Sequence, residues 1–197
     1  MKKLSEYPAL IVDLDGTLYA QRPVRLAMLR EILRQFHRLS DFRIIRKYRR
    51  MYEQGLSETA RLARLPARAP GVIREWMIER PLPYLRRYRD DALMDLLARA
   101  RERGIKVFIC SDYPAAEKLA ALSLAVDGVC SAADTGCLKP DPSALLDMLG
   151  PLGIRASDCL VIGDRADKDG AMAAAMRADF LLLPADMAAR RALYARL

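Results

Sequence analysis

The sequence predicts an α/β protein: a parallel sheet with helices on both faces, and an all-helical segment inserted after the first strand. Three observations lead there. Ala9 to Val12 is an unbroken apolar run that ends in carboxylates, as a strand covered on both faces should. From Ile105 onward, apolar runs alternate with helical patterns, which implies parallel strands joined by crossover helices. Between these regions the composition shifts. Ala20 to Asp90 holds 18 lysines and arginines against 7 carboxylates, a net of +11, leaving 15 against 18, a net of −3, for the rest. A shift of that size marks a boundary, so residues 1–19 and 90–197 are expected to form the core and residues 20–89 a separate helical unit.

Within the inserted segment, apolar positions from Pro23 to Arg38 follow a helical stripe, with Pro23 suited to a first turn. A second helix is expected over Asp41 to Glu53, capped by Asp41, with Phe42, Ile44, Ile45, Tyr48 and Tyr52 on its apolar side and Gly55 as its stop. Ser57 to Arg64 reads as a short helix, Pro66 to Gly71 as a turn, and Val72 to Glu79 as a helix carrying the single tryptophan, Trp76. Pro81 and Pro83 bring the chain back, and Asp90 or Asp91 caps a helix that ends near Arg103 and Gly104. The remainder reads as strands 105–110, 126–131, 159–163 and 179–183, with helices 114–122, 142–149, 168–176 and 185–195.

A chain of 197 residues, 52% hydrophobic and 29% charged, has the composition of a globular protein with a sizeable core. It holds no run of about eighteen apolar residues, and Met1-Lys2-Lys3 is followed by Glu6 and then a strand. Neither a membrane span nor a signal peptide is expected, which points to the cytoplasm. The four cysteines, Cys110, Cys130, Cys137 and Cys159, lack metal-ligand spacing and read as reduced, packed thiols.

The chemistry concentrates at strand ends. Side chains on a strand repeat every two residues, so Asp13 and Asp15 leave the first strand on one side, and Gly16 lets the chain turn. Two converging carboxylates repel unless a cation lies between them, and hard oxygen ligands suit magnesium. Taken alone, Asp15-Gly16 also reads as a surface turn. The template then recurs. Ile105 to Cys110 ends in Ser111-Asp112, Gly136 to Pro142 places Lys139 on a proline-bounded turn, and Cys159 to Gly163 runs into Asp164, Asp167 and Asp169.

Together these stretches resemble the four signature motifs of the haloacid dehalogenase-like (HAD) hydrolase superfamily, in order, from Ala9 to Leu183. The resemblance implies a Rossmann-like core with strand order fifth, fourth, first, second, third, which would set the strands ending at Asp164 and Ser111 on either side of Asp13. It implies that Asp13 attacks phosphorus to form an aspartyl phosphate, and that Asp15 protonates the leaving oxygen and later takes a proton from water. Thr17 and Ser111 would bind phosphoryl oxygens, and Lys139 would balance charge on the phosphoryl group and on Asp13. Mg2+ would be held by Asp13, the backbone carbonyl of Asp15 and Asp164, with Asp169 supporting through water. Asp167, outside the motif, reads as a cap for the helix near Lys168. Ser111 has a second reading as a helix cap, and Lys139 one as a solvated turn lysine.

Asp15 separates the chain from relatives that cleave carbon-halogen or carbon-phosphorus bonds, which lack that second aspartate. Lys47, the sole lysine of the insert, gives little support to Schiff-base chemistry. The insert itself looks like a C1-type cap, a lid that excludes water and selects the leaving group. Tyr19 and Arg22 are the insert-side residues expected nearest the substrate, and His37, the only histidine, reads as structural. The expectation is a Mg2+-dependent phosphatase of a small phosphorylated metabolite. A phosphosugar mutase would share its core residues. A binding protein using the basic insert on nucleic acid or an acidic partner is the competing class, with few interleaved aromatics in its favour.

Overall fold

The structure, a computed structural model, describes residues 2–35 and 38–197. Five strands form one parallel sheet: β1 (Ala9–Asp13), β2 (Lys106–Ser111), β3 (Gly128–Ser131), β4 (Leu160–Gly163) and β5 (Asp179–Leu182). Their order is β3-β2-β1-β4-β5, the one the resemblance implied. β1 is central, and all five of its residues are buried. Alternation sorts them between two cores. Leu10 and Val12 join Val107, Ile109 and Ile162 on one face, beneath α6 (Asp91–Glu102), α7 (Ala116–Leu122) and α11 (Met187–Tyr194). Ala9 and Ile11 join Phe108 and Val161 on the other, beneath α9 (Ser143–Leu149) and α10 (Ala171–Met176). Burial on both faces is why these strands read as continuous apolar runs.

Between β1 and α6 the chain is helical: α1 (Gln21–Arg34), α2 (Leu39–Glu53), α3 (Glu58–Leu62), α4 (Ala69–Arg74) and α5 (Leu82–Arg87), with a π-helical turn at Glu75–Glu79. Ser57 caps α3 by accepting the Ala60 N–H at 3.3 Å, and Asp90 caps α6 by accepting that of Leu93 at 3.1 Å. Where the chain leaves the sheet and where it returns, it is tied to itself. Tyr19 and Arg89 form an antiparallel bridge, flanked by Ala20 N to Tyr88 O and Asp90 N to Leu18 O, both 2.9 Å.

Four local expectations are corrected. Asp41 is not the cap of α2. The helix begins two residues earlier, and the buried Asp41 carboxylate instead accepts Arg38 Nε at 2.8 Å and the Arg68 guanidinium. Gly71 lies inside α4 rather than in a turn, because Pro70 occupies a first-turn position that needs no N–H donor. Leu82–Arg87 and Ala132–Thr135 (α8) are helical where loops were expected. His37 lies outside the described residues.

Several of the insert's arginines are paired within it, among them Arg38, Arg61, Arg68 and Arg80. Arg38 donates both terminal nitrogens to Glu75 at 2.6 Å, Arg80 Nε donates to the same carboxylate at 2.8 Å, and the two guanidiniums flank the Trp76 ring at 5.5 and 4.4 Å. Those bonds, Arg38 foremost, hold the Glu75 carboxyl down at about 2. Arg61 is buried over the rings of Tyr48 and Tyr52, at 5.0 and 4.3 Å. Lys47 donates to the Arg64 carbonyl at 2.7 Å. Among the described residues no helix is long and apolar enough to cross a membrane. All four cysteines are free; Cys110, Cys130 and Cys159 are buried and Cys137 half-buried.

Candidate active site

The carboxyl ends of β1, β2 and β4 meet at one place. Asp13, Asp164 and Asp169 each bring a carboxylate oxygen within 4.8 Å of the others. Lys139 Nζ donates to Asp13 Oδ1 and, at 2.7 Å, to Asp169 Oδ1, while Asp169 Oδ2 accepts the Arg165 N–H at 3.1 Å. Two residues are small so that the carboxylates can approach. A Cβ on Gly16, which has φ +103°, would lie 2.3 Å from Asp164 Oδ2, and one on Gly163 would lie 2.3 Å from Asp169 Oδ2.

The cluster has the charge of a cation site. Three carboxylates against the one Lys139 ammonium leave a net of −2 in a buried place. Burial pushes the Asp13 carboxyl up to about 7 against the pull of Lys139, with Asp169 adding to the rise. Burial, then Asp169, also raises Asp164. Asp13 Oδ2 and Asp164 Oδ1 are buried without any protein partner. A divalent cation would satisfy both oxygens and cancel the excess charge, so the donor set fits Mg2+.

Asp15 stands apart from that cluster. Its side chain is turned toward the helices, with Lys118 Nζ 2.6 Å from both oxygens and the Tyr19 hydroxyl donating to Oδ1. Burial alone would raise the Asp15 carboxyl, but Lys118 and Tyr19 outweigh it and hold it below the usual carboxylate range. Lys118 was not singled out from sequence. One lysine on the apolar pattern of α7 reads as a solvated end, and only the crossing of α7 over the β1 loop brings it, buried, to Asp15.

Thr17 is fully buried, and its Oγ1 has no partner within the protein. Ser111 is buried at the end of β2, where Oγ accepts the Tyr113 N–H at 3.2 Å. It does not cap α7, which starts five residues later. Lys139 is no solvated turn lysine: it is 7% exposed, and its backbone N–H donates to Asp112 Oδ1 at 2.9 Å. Asp112 also accepts Lys168 Nζ at 2.6 Å. Asp167 caps nothing. It lies exposed within the π-helical turn Ala166–Gly170 and pairs with Arg165 Nη2 at 2.5 Å. Arg190 is a second residue that sequence reading passed over. Buried on α11, it donates to the carbonyls of Gly16 at 2.7 Å, Thr17 at 3.0 Å and Pro184 at 2.7 Å, which fixes the loop after β1.

A cavity of about 520 Å3 opens above this floor, bounded by Asp13, Asp15, Lys118 and Lys139 below and by helices of the insert above. Tyr19 lines it, as expected. Arg22 does not: the residues of α1 that line it are Gln21, Val24, Arg25, Met28, Leu29 and Ile32. Arg25 and Arg49 are the arginines of the insert that reach the cavity.

No curated protein sequence matches the chain. Solved structures do share its fold. YfnB from Bacillus subtilis, bound to magnesium, superposes with a TM-score of 0.62 at 16% identity, over 90% of this chain and 87% of that one. CbbY from Rhodobacter sphaeroides, in complex with xylulose-(1,5)bisphosphate, gives 0.63 at 16% identity over 92% and 88%. The β-phosphoglucomutase of Clostridium difficile gives 0.60 at 16% identity over 90% and 85%. Residues 7–177, from before β1 to the end of α10, match the haloacid dehalogenase-like hydrolases, and with the carboxylate cluster at the ends of a 3-2-1-4-5 sheet the chain belongs to that family.

Proposed function

We propose that the protein is a Mg2+-dependent phosphatase of a small phosphorylated metabolite that works through an aspartyl phosphate on Asp13. The observation that carries this reading is the free Oδ2 of a buried Asp13 whose other oxygen is held by Lys139. With Oδ2 given to the metal, Oδ1 is the oxygen that attacks, fixed in orientation by the Lys139 ammonium beside it. Asp13, Asp164 and the Asp15 carbonyl would hold the metal, with Asp169 behind them. When bound, the metal supplies charge neutralisation for the carboxylates and the phosphoryl group.

In the first step Asp13 forms a bond to phosphorus as the ester P–O bond breaks, and the leaving oxygen takes a proton from Asp15. In the second, water attacks phosphorus, its proton passes to Asp15, and the bond to Asp13 breaks to release phosphate. Bound to Lys118, Asp15 is an ionised carboxylate suited to the second step. Acting as acid requires it to part from Lys118 and carry a proton. Lys139 balances charge on Asp13 throughout, and the Thr17 and Ser111 hydroxyls donate to phosphoryl oxygens.

Residues 20–89 act as the cap on this reading, hinged at the paired crossings beside Tyr19 and Arg89. The free thiols suit a reducing compartment, and we place the enzyme in the cytoplasm. Hydrolysis of p-nitrophenyl phosphate with Mg2+ tests the proposal. Wild type is expected to exceed Asp13→Asn by about 10³ or more, and equal rates would overturn it.

A further inference from the structure

The cavity above Asp13 has two unlike halves. Its floor is ionic, with Lys118, Lys139, Lys168 and Arg165 around the carboxylates. Its upper wall is apolar: Val24, Met28, Leu29 and Ile32 from α1 face Phe42 and Ile45 from α2. Ile73, Trp76, Met77 and Ile78 close the far side. Among the described residues, the side chains with polar groups that the insert contributes are Gln21, Arg25, Tyr48, Arg49, Glu53 and Trp76. Leu29 and Phe42 remain 49% and 47% exposed, although their helices pack around a core of Ile44, Ile45, Val72 and Trp76 just behind them. Leu29 and Phe42 thus leave apolar surface bare toward the cavity, while Val24, Ile45 and Trp76 are buried and Met28, Ile32, Ile73 and Met77 are half-buried against the core behind them.

A polyhydroxylated leaving group would not suit this wall. Each hydroxyl set against its aliphatic and Phe42 side chains gives up water without gaining a partner, a loss of about tenfold in affinity per group. An alkyl or aryl body would instead cover apolar surface that the fold leaves bare, gaining about fourfold per methylene. The volume lies in the range of roughly 300–1,000 Å3 found for sites that take drug-sized ligands, well beyond a phosphate alone. Of the cavity-lining residues among those described, Asp13 Oδ2 at the floor and the Trp76 indole Nε1 above are the buried polar atoms without a partner.

We infer that the substrate is a phosphomonoester of an apolar alcohol, its phosphate on the ionic floor and its alkyl or aryl body against the α1 and α2 faces. This rests on the phosphatase reading for its chemistry and on the cavity wall for its specificity. Arg25 and Arg49, which line the cavity from the insert, would meet the phosphate's outer oxygens as it enters.

The test is kcat/KM, with Mg2+, for n-alkyl phosphates from propyl to hexyl against glycerol 1-phosphate and glucose 6-phosphate. p-Nitrophenyl phosphate reports phosphatase activity itself. Expected is a rise of about fourfold per methylene, with hexyl phosphate at least about tenfold above both polyol esters. Leu29→Gln and Phe42→Gln, at half-exposed wall positions, are expected to shrink the hexyl to glycerol ratio. A flat or inverted series, with p-nitrophenyl phosphate still turned over, overturns the inference and leaves the phosphatase reading intact. Should no ester be turned over, the phosphatase reading fails, and binding decides the rest. Hexylphosphonate is then titrated against 3,4-dihydroxybutylphosphonate with Trp76 fluorescence as the signal. Tighter binding of the hexyl compound by about tenfold upholds the apolar site, and equal binding overturns it.

Discussion

Lys118 Nζ lies 2.6 Å from both carboxylate oxygens of Asp15, a residue 103 positions earlier in the chain. The lysine is 7% exposed, so this ion pair is largely shielded from water. Removing one member of such a pair strands the other, at about 3–5 kcal/mol. We expect Lys118→Met to lower stability by about 3 kcal/mol. The Lys118→Met, Asp15→Asn double variant should lose clearly less than the sum of the two single variants. A double-mutant cycle by urea unfolding measures the coupling, and additive losses would show that the pair contributes nothing.

Gly16 tests the cation site without changing a ligand. A methyl group there collides with Asp164 Oδ2, and φ +103° disfavours any side chain. Gly16→Ala is therefore expected to weaken Mg2+ binding by about ten- to a hundredfold, as displaced supports of metal ligands do. Isothermal titration calorimetry reads this directly. The backbone strain adds a stability loss of about 1–3 kcal/mol in metal-free protein.

Arg190 holds the loop between the two motif aspartates and Leu18 by donating to two of its carbonyls. Arg190→Lys keeps the charge but cannot span Gly16, Thr17 and Pro184 at once. The expected result is a fall in kcat of about tenfold or more with little change in KM, because Asp13 and Thr17 lose their placement while the cavity walls stay. A change confined to KM would contradict this role.

Glu75 sets a pH limit on the insert. Its carboxyl is held at about 2 in the folded protein, from an ordinary 4.5, chiefly by Arg38. The folded state thus binds this proton less readily than the unfolded chain, so the stabilisation is complete above about pH 4.5 and is lost as pH falls toward 2. Trp76 lies between Arg38 and Arg80 and is the single tryptophan, so its emission follows the loss. Glu75→Gln is expected to lower the thermal midpoint at pH 7 and to flatten its dependence on pH between 4.5 and 2.

What could be read along the chain was whatever repeats locally. A strand buried on both faces must be apolar at every position, so β1, β2 and β4 announced themselves, and the two-residue spacing of Asp13 and Asp15 announced where β1 ended. The match of these three ends and of the Lys139 turn to one template placed Asp13, Ser111, Lys139, Asp164 and Asp169 at a common edge. Helix boundaries at Asp41 and Gly71 went astray for a related reason. A carboxylate or a glycine near a helix start looks like punctuation until its tertiary partners, Arg38 and Arg68 for Asp41, are known.

Lys118, Arg190 and the apolar ceiling of the cavity belong to the tertiary structure alone. Arg190 and Arg191 are neighbours in α11, yet one is buried against the β1 loop and the other is exposed, and nothing local separates them. Periodicity tells which side chains share a face of a helix, but not what that face meets. A helix can turn the same stripe to a core, to a partner or to a cavity at equal local cost, and the choice is made by packing between elements far apart in sequence.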